Sequence, residues 1–479
     1  MSIGLGLSWW ISGPVAPTIY LQPGQTIQQG IDGATTGAIL SVPAGLYREQ
    51  VTVTKPLTLQ GQPGAEIRGS EVWASWTAGS GIWTSTLTVP NLGSDTQHGD
   101  PKTQWREQVF LDGAPLTQVA VGTTPVSGQF ALDASRHVIL ADNPAGKTVE
   151  VTARSYWVVS GAHNVTVQGF TMKHAGCPAQ DGGIRVNGHN GWTIQRNTLS
   201  DAHGRCVSFG TASGCRVLNN DIGYGGCLGI GGWQLTNSII SGNRIHHCNT
   251  EGFDTAWEAG GIKLSGSSSV TISGNEVDHN TAHGIWCDIA CDVMVISGNR
   301  VHDNTRHGIR YEVSSGAEIA SNVVWNNGFD GSTWGWGAGI VIQNSNHCTV
   351  HDNVVAWCAD GIVVFSQNRG DTPAEGVIDN NLYANDILIA DDTGPDSVYV
   401  MGWLQDWAGT LFDPASNNRG SGNRFYIGNQ VGNDPNDFSW NGSWHTLAQF
   451  STTPVGAGSS YLTATEVDQI LSDNNIPTS

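Results

Sequence analysis

The chain has 479 residues, of which only 13% are charged, with 63 glycines, 19 tryptophans and a formal net charge of −20. This balance excludes a disordered chain and suits a turn-dense all-β protein, and without a basic footprint it argues against nucleic acid as a partner. No stretch is long and apolar enough to span a bilayer, so no membrane partner is expected.

In chain order, the first segment, Met-Ser-Ile-Gly-Leu-Gly-Leu-Ser-Trp-Trp, lacks a basic n-region and an Ala-x-Ala site and does not read as a signal peptide. The expectation is a protein that stays in the cytoplasm or reaches a virion surface or the extracellular space by another route. Residues 18 to 70 then alternate as short strands, interrupted by Gln25-Thr-Ile-Gln-Gln-Gly-Ile31, whose apolar spacing of four predicts a helical turn plugging the end of a solenoid.

Residues 71–154 break that rhythm with Trp73, Trp76 and Trp83 and a strand-turn pattern, which predicts an inserted β-subdomain. Between Gly161 and Asn381 an apolar-x-x-Asn-x-apolar phrase recurs with Asn at 197, 220, 243, 275, 299, 322, 353 and 381. A unit of about 23 residues with loops added at chosen points is a solenoid signature. Each unit has room for three short strands and none for a helix, and the Asn column reads as a structural ladder at an inward turn. The organisation predicted is an N-terminal cap and first coils over 1–70, the insertion over 71–154, a central parallel β-helix over 155–390 and an irregular cap over 391–479. About ten coils are expected, with a short capped helix over Thr463–Leu471. The nine cysteines are odd in number and form no CxxC spacing. Most read as small core residues, with a Cys287–Cys291 bridge as the minority alternative.

The opening phrases Pro23-Gly-Gln-Thr-Ile-Gln, Val42-Pro-Ala-Gly-Leu-Tyr-Arg-Glu and Leu57-Thr-Leu-Gln-Gly-Gln-Pro-Gly-Ala, followed by the Asn repeats to about residue 390, resemble the pectate-lyase-like superfamily of right-handed parallel β-helices. The hand also follows from the crossover rule. That superfamily holds lyases, hydrolases, epimerases, esterases and phage tailspikes, so the resemblance implies fold and leaves chemistry open. The chain departs from the superfamily's known catalytic patterns: it shows neither a complete pectate-lyase calcium set, nor the polygalacturonase aspartate pairs, nor the alginate-epimerase Asp-Pro-His signature. Phage spikes of this fold are often trimers, which leaves a homotrimer open.

Aligning the strand after each third turn gives two outward columns by period-two alternation. One is Arg185, Ser208, Gly231, Lys263, Trp286, Arg310, Val341, and its neighbour is Asn187, Gly210, Trp233, Ser265, Asp288, Glu312, Gln343. Lys263, Asp288, Arg310 and Glu312 therefore converge as candidate catalytic residues, with both carboxylates expected on an exposed face. Candidate sugar contacts are Trp286, Trp233, Gln343, His283 and His307, the two histidines immediately preceding their strands. Long loops at 248–258, 328–337 and 366–375 would wall the groove, adding Trp257, Glu258, Trp334 and Trp336, with Glu251, Asp254, Asp330, Arg369 and Asp371 near them.

These residues point to a glycan-cleaving enzyme acting on a polysaccharide or oligosaccharide. In the hydrolase form one of Asp288 and Glu312 is a protonated acid and the other a nucleophile or electrostatic stabiliser, and no cofactor is required. In the lyase form Lys263 or Arg310 abstracts a proton beside a uronate carboxylate, and Asp254 or Glu258 could hold calcium. The alternative from another class is a non-catalytic glycan-binding tailspike, virion component or adhesin.

Overall fold

The computed structural model describes residues 16–330, 333–368, 375–390, 398–428 and 437–478. The N-terminal decapeptide, Arg369 and Asp371 lie outside the described residues. Three 13-stranded sheets run the length of the molecule, each built from one strand per coil and paired in parallel at nearly every step. The chain is a right-handed parallel β-helix. One core fills it from Leu21 to Val455, mostly Ile, Val and Leu, with Trp157, Trp192 and Trp403 fully enclosed.

The Asn repeat explains why the coils stack at fixed register. Asn299 Oδ1 accepts from the backbone N–H and side-chain Nδ2 of Asn275, while Asn299 Nδ2 donates to Asn322 Oδ1 and to the Ile272 carbonyl. The same pattern joins Asn197, Asn220, Asn243 and Asn275 below, and Asn322, Asn353, Asn385 and Asn423 above. Each of these side chains is buried. One assignment changes: the rung after Asn353 is Asn385, not Asn381, which lies on the strand Asn381–Tyr383. Both positions carry the phrase, and only Leu382-Tyr-Ala-Asn385-Asp-Ile387 puts its two apolar residues inward at the turn.

A second ladder, Asn280, Asn304 and Asn327, crosses a neighbouring turn. It presses on Gly284 and Gly308, at the entry of the strands His283–Asp288 and Ile309–Glu312. A Cβ on Gly308 would lie 2.6 Å from a Val324 methyl and 2.7 Å from the Gly339 carbonyl. Glycine heads these strands because no side chain fits between coils there.

The helix Ile27–Gly33 caps the N-terminal end, begun by a Thr26/Gln29 capping box, and Ala464–Asn474 forms near the C-terminus behind a Thr463/Glu466 box. The ladders continue past residue 390 through Met401–Asp406, Arg419–Ser421 and Arg424–Ile427. Coil pairing therefore extends into the stretch read from sequence as an irregular cap, and the sheets exceed the ten coils expected. Those coils are punctuated by longer excursions, which hides the period. All nine cysteines are buried free thiols, so Cys287 and Cys291 are not bridged. Among the described residues no helix is long and apolar enough to cross a membrane.

Between Ser70 and Thr152 the chain builds a four-stranded and a five-stranded sheet around their own core of Trp73, Val109, Phe130, Leu140 and Val151. Buried Glu150 ties this insertion to the first coils through Arg48 and Arg68, each within 2.8 Å. Its arm over residues 98–102 reaches the loop 248–258: Gly99 bridges Phe253, the Asp100 N–H donates to the Gly252 carbonyl, and His98 stacks on Trp257 at 3.8 Å.

Candidate functional site

The predicted columns match the observed register, Arg185 to Ser208 to Gly231 to Lys263 to Trp286 to Arg310 to Val341. Their exposure does not match. Lys263, Trp286, Asp288, Arg310, Glu312 and Gln343 are all buried, and Glu312 has no exposed surface. Part of the reason is the loop 248–258, which the insertion pins and which Lys263 meets, its Nζ donating to the Trp257 carbonyl at 2.6 Å.

Under that cover the charged side chains pair. Lys263 Nζ stands 2.9 Å from Asp288 Oδ2, and Arg310 Nη2 stands 2.8 Å from Glu312 Oε1. Trp286 lies between the two cations, with Lys263 Nζ 3.5 Å and the Arg310 guanidinium carbon 4.6 Å from the ring centroid. Its indole N–H donates to Glu312 Oε2 at 2.9 Å. Cation–π attraction and the two ion pairs make this one rigid block. Burial holds the Lys263 ammonium below its ordinary range, against the opposing pull of Asp288.

Beside the block opens a cleft of about 500 Å3. His283, His307 and Arg310 line it with Arg306, and Trp336, Gln343, Gln367, Thr255 and Ala256 complete the wall. Arg310 Nη1 donates to His283 Nε2 at 3.1 Å, and Arg310 Nη2 donates to Gln343 Oε1 at 2.9 Å. His283 and His307 stack with centroids 5.3 Å apart. Burial, reinforced by the Arg310 charge, holds both imidazoles well below the usual histidine range, so they are neutral near pH 7. His307 Nδ1 lies 3.3 Å from the Ala338 carbonyl, which takes an N–H from that nitrogen and leaves Nε2 with a lone pair. Arg306 Nε is 3.6 Å from Asp330 Oδ2 and makes no hydrogen bond.

A smaller cleft of about 210 Å3 lies farther along the same sheet, on the other side of loop 248–258. Trp233, half-exposed, and Asn187 line it above the buried pair of Arg205 Nη2 with both Glu258 oxygens at 2.8 and 2.6 Å. Glu258 is thus committed to Arg205, and the Asp254 carboxylate accepts the Ala256 N–H.

Of the sequence-predicted residues, the larger cleft therefore gathers His283, His307, Arg310, Gln343 and Trp336. Asp288, Glu312, Lys263 and Trp286 form the block behind its wall. Trp233 and Glu258 belong to the smaller cleft, Trp257 is the loop's anchor on His98, and Trp334 packs on Trp336 and Phe365 at centroid separations of 5.8 and 5.2 Å. Sequence reasoning missed Arg306, Gln367 and Arg205. Arg205 shares a register column with Gly182, Leu228, Gly260 and His283. Starting each aligned strand one residue earlier exposes that column, and Arg306 stands directly before His307.

Residues 182–338 match the family model described as a right handed beta helix region. No curated protein matches the chain. Among solved structures, the complex of XylC with xylose is similar over 88% of this chain and 84% of that one, with a TM-score of 0.64 and 17% identity. The A-module of mannuronan C-5 epimerase AlgE4 from Azotobacter vinelandii aligns over 91% of this chain and 95% of its own at a TM-score of 0.49 and 12% identity. The Dettilon tailspike protein aligns over 94% and 69% at 0.46 and 12%. At these identities the likeness is one of fold.

Proposed function

We propose that the protein acts on an acidic polysaccharide laid across this sheet, and that the larger cleft cleaves it by β-elimination. The observation that carries the reading is the meeting of Arg306, Arg310 and two neutral imidazoles, His283 and His307, in one cleft of about 500 Å3. Guanidiniums bind a uronate carboxylate and disperse the charge that builds on it as the neighbouring carbon loses its proton. His307 Nε2, with Nδ1–H held by the Ala338 carbonyl, is the base that takes the proton from C5. The C5–H electron pair forms the C4–C5 double bond, the C4–O4 bond breaks, and the departing oxygen takes a proton from solvent at the open side. The bound carboxylate also raises the affinity of the adjacent imidazole for that proton.

Hydrolysis would ask Asp288 and Glu312 to reach the sugar, whereas both face a cation and neither lines the cleft. That placement favours elimination. Calcium enters no step of this reading, since the guanidiniums take the place a cation would hold. A structural neighbour of this fold holds xylose, which supports a sugar ligand in general. One observation favours the rival, glycan binding without turnover: Arg310 is already engaged by Glu312, Gln343 and His283.

The test is incubation with a panel of uronate-containing and neutral polysaccharides, following ultraviolet absorbance of the unsaturated uronide and, in parallel, reducing ends. Elimination predicts both signals, on acidic polymers alone. Reducing ends without absorbance would establish hydrolysis, and retention of a polymer with neither signal would establish binding only.

A further inference from the structure

A second chemical site lies on the sheet of short strands, away from the cleft. One register column there runs Gly223, His246, Asp278, His302 and Trp325 through successive coils. The residue after each, Tyr224, His247, His279, Asp303 and Asn326, has a left-handed backbone with φ between 52° and 55°. Repeating one backbone conformation at one turn piles these side chains over each other, as the stacks Tyr224 on His247 and His247 on His279 show at centroid separations of 5.2 and 5.1 Å.

We infer that His279, His302 and Asp303 form a binding site for a borderline divalent transition metal such as zinc. Asp303 Oδ2 lies 2.7 Å from His302 Nδ1 and 3.9 Å from His279 Nε2. Ligand atoms each about 2.0–2.1 Å from a tetrahedral zinc ion are about 3.3 Å apart, a spacing these two distances bracket. The far nitrogens decide the case. His279 Nδ1 is 2.8 Å from Asp278 Oδ2, and His302 Nε2 is 3.4 Å from Glu276 Oε1. Each imidazole thus has a carboxylate on the side away from Asp303, the arrangement that fixes tautomer and raises ligand basicity in carboxylate–histidine–metal sites. Asp278 is itself fully buried and held by Arg244, with Nε at 3.2 Å and Nη2 at 3.1 Å. His302 is further locked by stacking on Trp325 at 3.9 Å. Two imidazoles and one carboxylate leave a fourth position for water, and two neutral nitrogens with one hard oxygen select zinc, cobalt or nickel over calcium or magnesium.

The test uses the full chain after dialysis against a chelator. Calorimetric titration with zinc should show one ion per chain, no uptake of magnesium or calcium, and a visible Co2+ spectrum without thiolate charge transfer, since every cysteine is buried elsewhere. His279→Gln and His302→Gln should each weaken zinc binding at least 100-fold. Asp278→Asn should weaken it about 10- to 100-fold by releasing the His279 tautomer. His246→Gln should leave it unchanged, although His246 and His247 approach through their Nδ1 atoms at 2.9 Å and Asp221 is 3.0 Å from His246 Nε2; the rival cluster of Glu276, Asp278 and His302 lacks His279, so His279→Gln tells the two apart. Circular dichroism confirms that each variant is folded. Absence of uptake by the parent chain, undiminished uptake in both ligand variants, or loss in His246→Gln would each overturn the assignment.

Discussion

Arg310 and Glu312 stand two residues apart on one strand, so their side chains share a face and close an ion pair of 2.8 Å directly behind the cleft wall. This pair joins the two parts of the site: Glu312 also receives the Trp286 indole N–H, and Arg310 also donates to His283. The side chain that lines the cleft is thereby held by one that does not.

Breaking that pair should cost stability as well as function. Removing one partner of a buried ion pair leaves the other charge desolvated, at a cost of about 3–5 kcal/mol. Glu312→Ala should accordingly lower the urea midpoint markedly, with an unchanged m-value. A carboxylate on an open face would have predicted almost no change, so unaltered stability would refute the buried network.

The glycine heads of the site strands are a packing requirement. Gly308→Ala should destabilise by about 1–3 kcal/mol, because the added methyl meets Val324 and the Gly339 carbonyl between coils. Denaturant unfolding against an alanine at Gly274, which faces open space but has a left-handed φ of 61°, separates the crowding from the backbone cost.

Asp360 gives the protein a pH signature. It accepts the Gly337 N–H at 3.2 Å and the Tyr399 N–H at 2.9 Å, and burial pushes its carboxyl up to about 6 from 3.8. With the folded value above the unfolded one, the native state binds more protons between them. Its contribution is fully present below about pH 4 and is lost as pH rises through about 6, amounting to about 3 kcal/mol. The thermal midpoint of Asp360→Asn should lack that falling component when compared with the parent from pH 4 to 7. Parallel profiles would show that Asp360 titrates normally.

Arg306 supplies the cation at the cleft that hydrogen bonds engage least. Arg306→Ala should weaken retention of an acidic oligosaccharide at least tenfold, leave a neutral one unaffected, and steepen neither melt nor midpoint. Equal loss for both classes would point to collapse of the loop around Asp330 and not to charge recognition.

The fold was legible because its determinants repeat. The Asn phrase at 197 through 353 marks one turn per coil, and the Gly-Ile strand heads fix which residues share a column, so register is written in the sequence itself. Asn381 and Asn385 both satisfy the phrase, and only the stacking on Asn353 and Asn423 decides between them. Burial was illegible for a different reason. Period-two alternation places Asp288 and Glu312 outside the core, but an arm over 98–102 anchors the loop 248–258, which holds Lys263, the partner of Asp288, through the Trp257 carbonyl. The cleft itself depends on Arg306 from a strand entry, Trp336 from one loop and Gln367 from another, a meeting that no local pattern encodes.

The most direct measurement is the rate of unsaturated uronide formation on an acidic polysaccharide by His307→Ala, set beside its affinity for the same polymer. His307→Ala should lose at least 100-fold in rate with affinity within a few-fold of the parent, because the imidazole carries the proton and the guanidiniums carry the binding. An unchanged rate in His307→Ala would contradict that role.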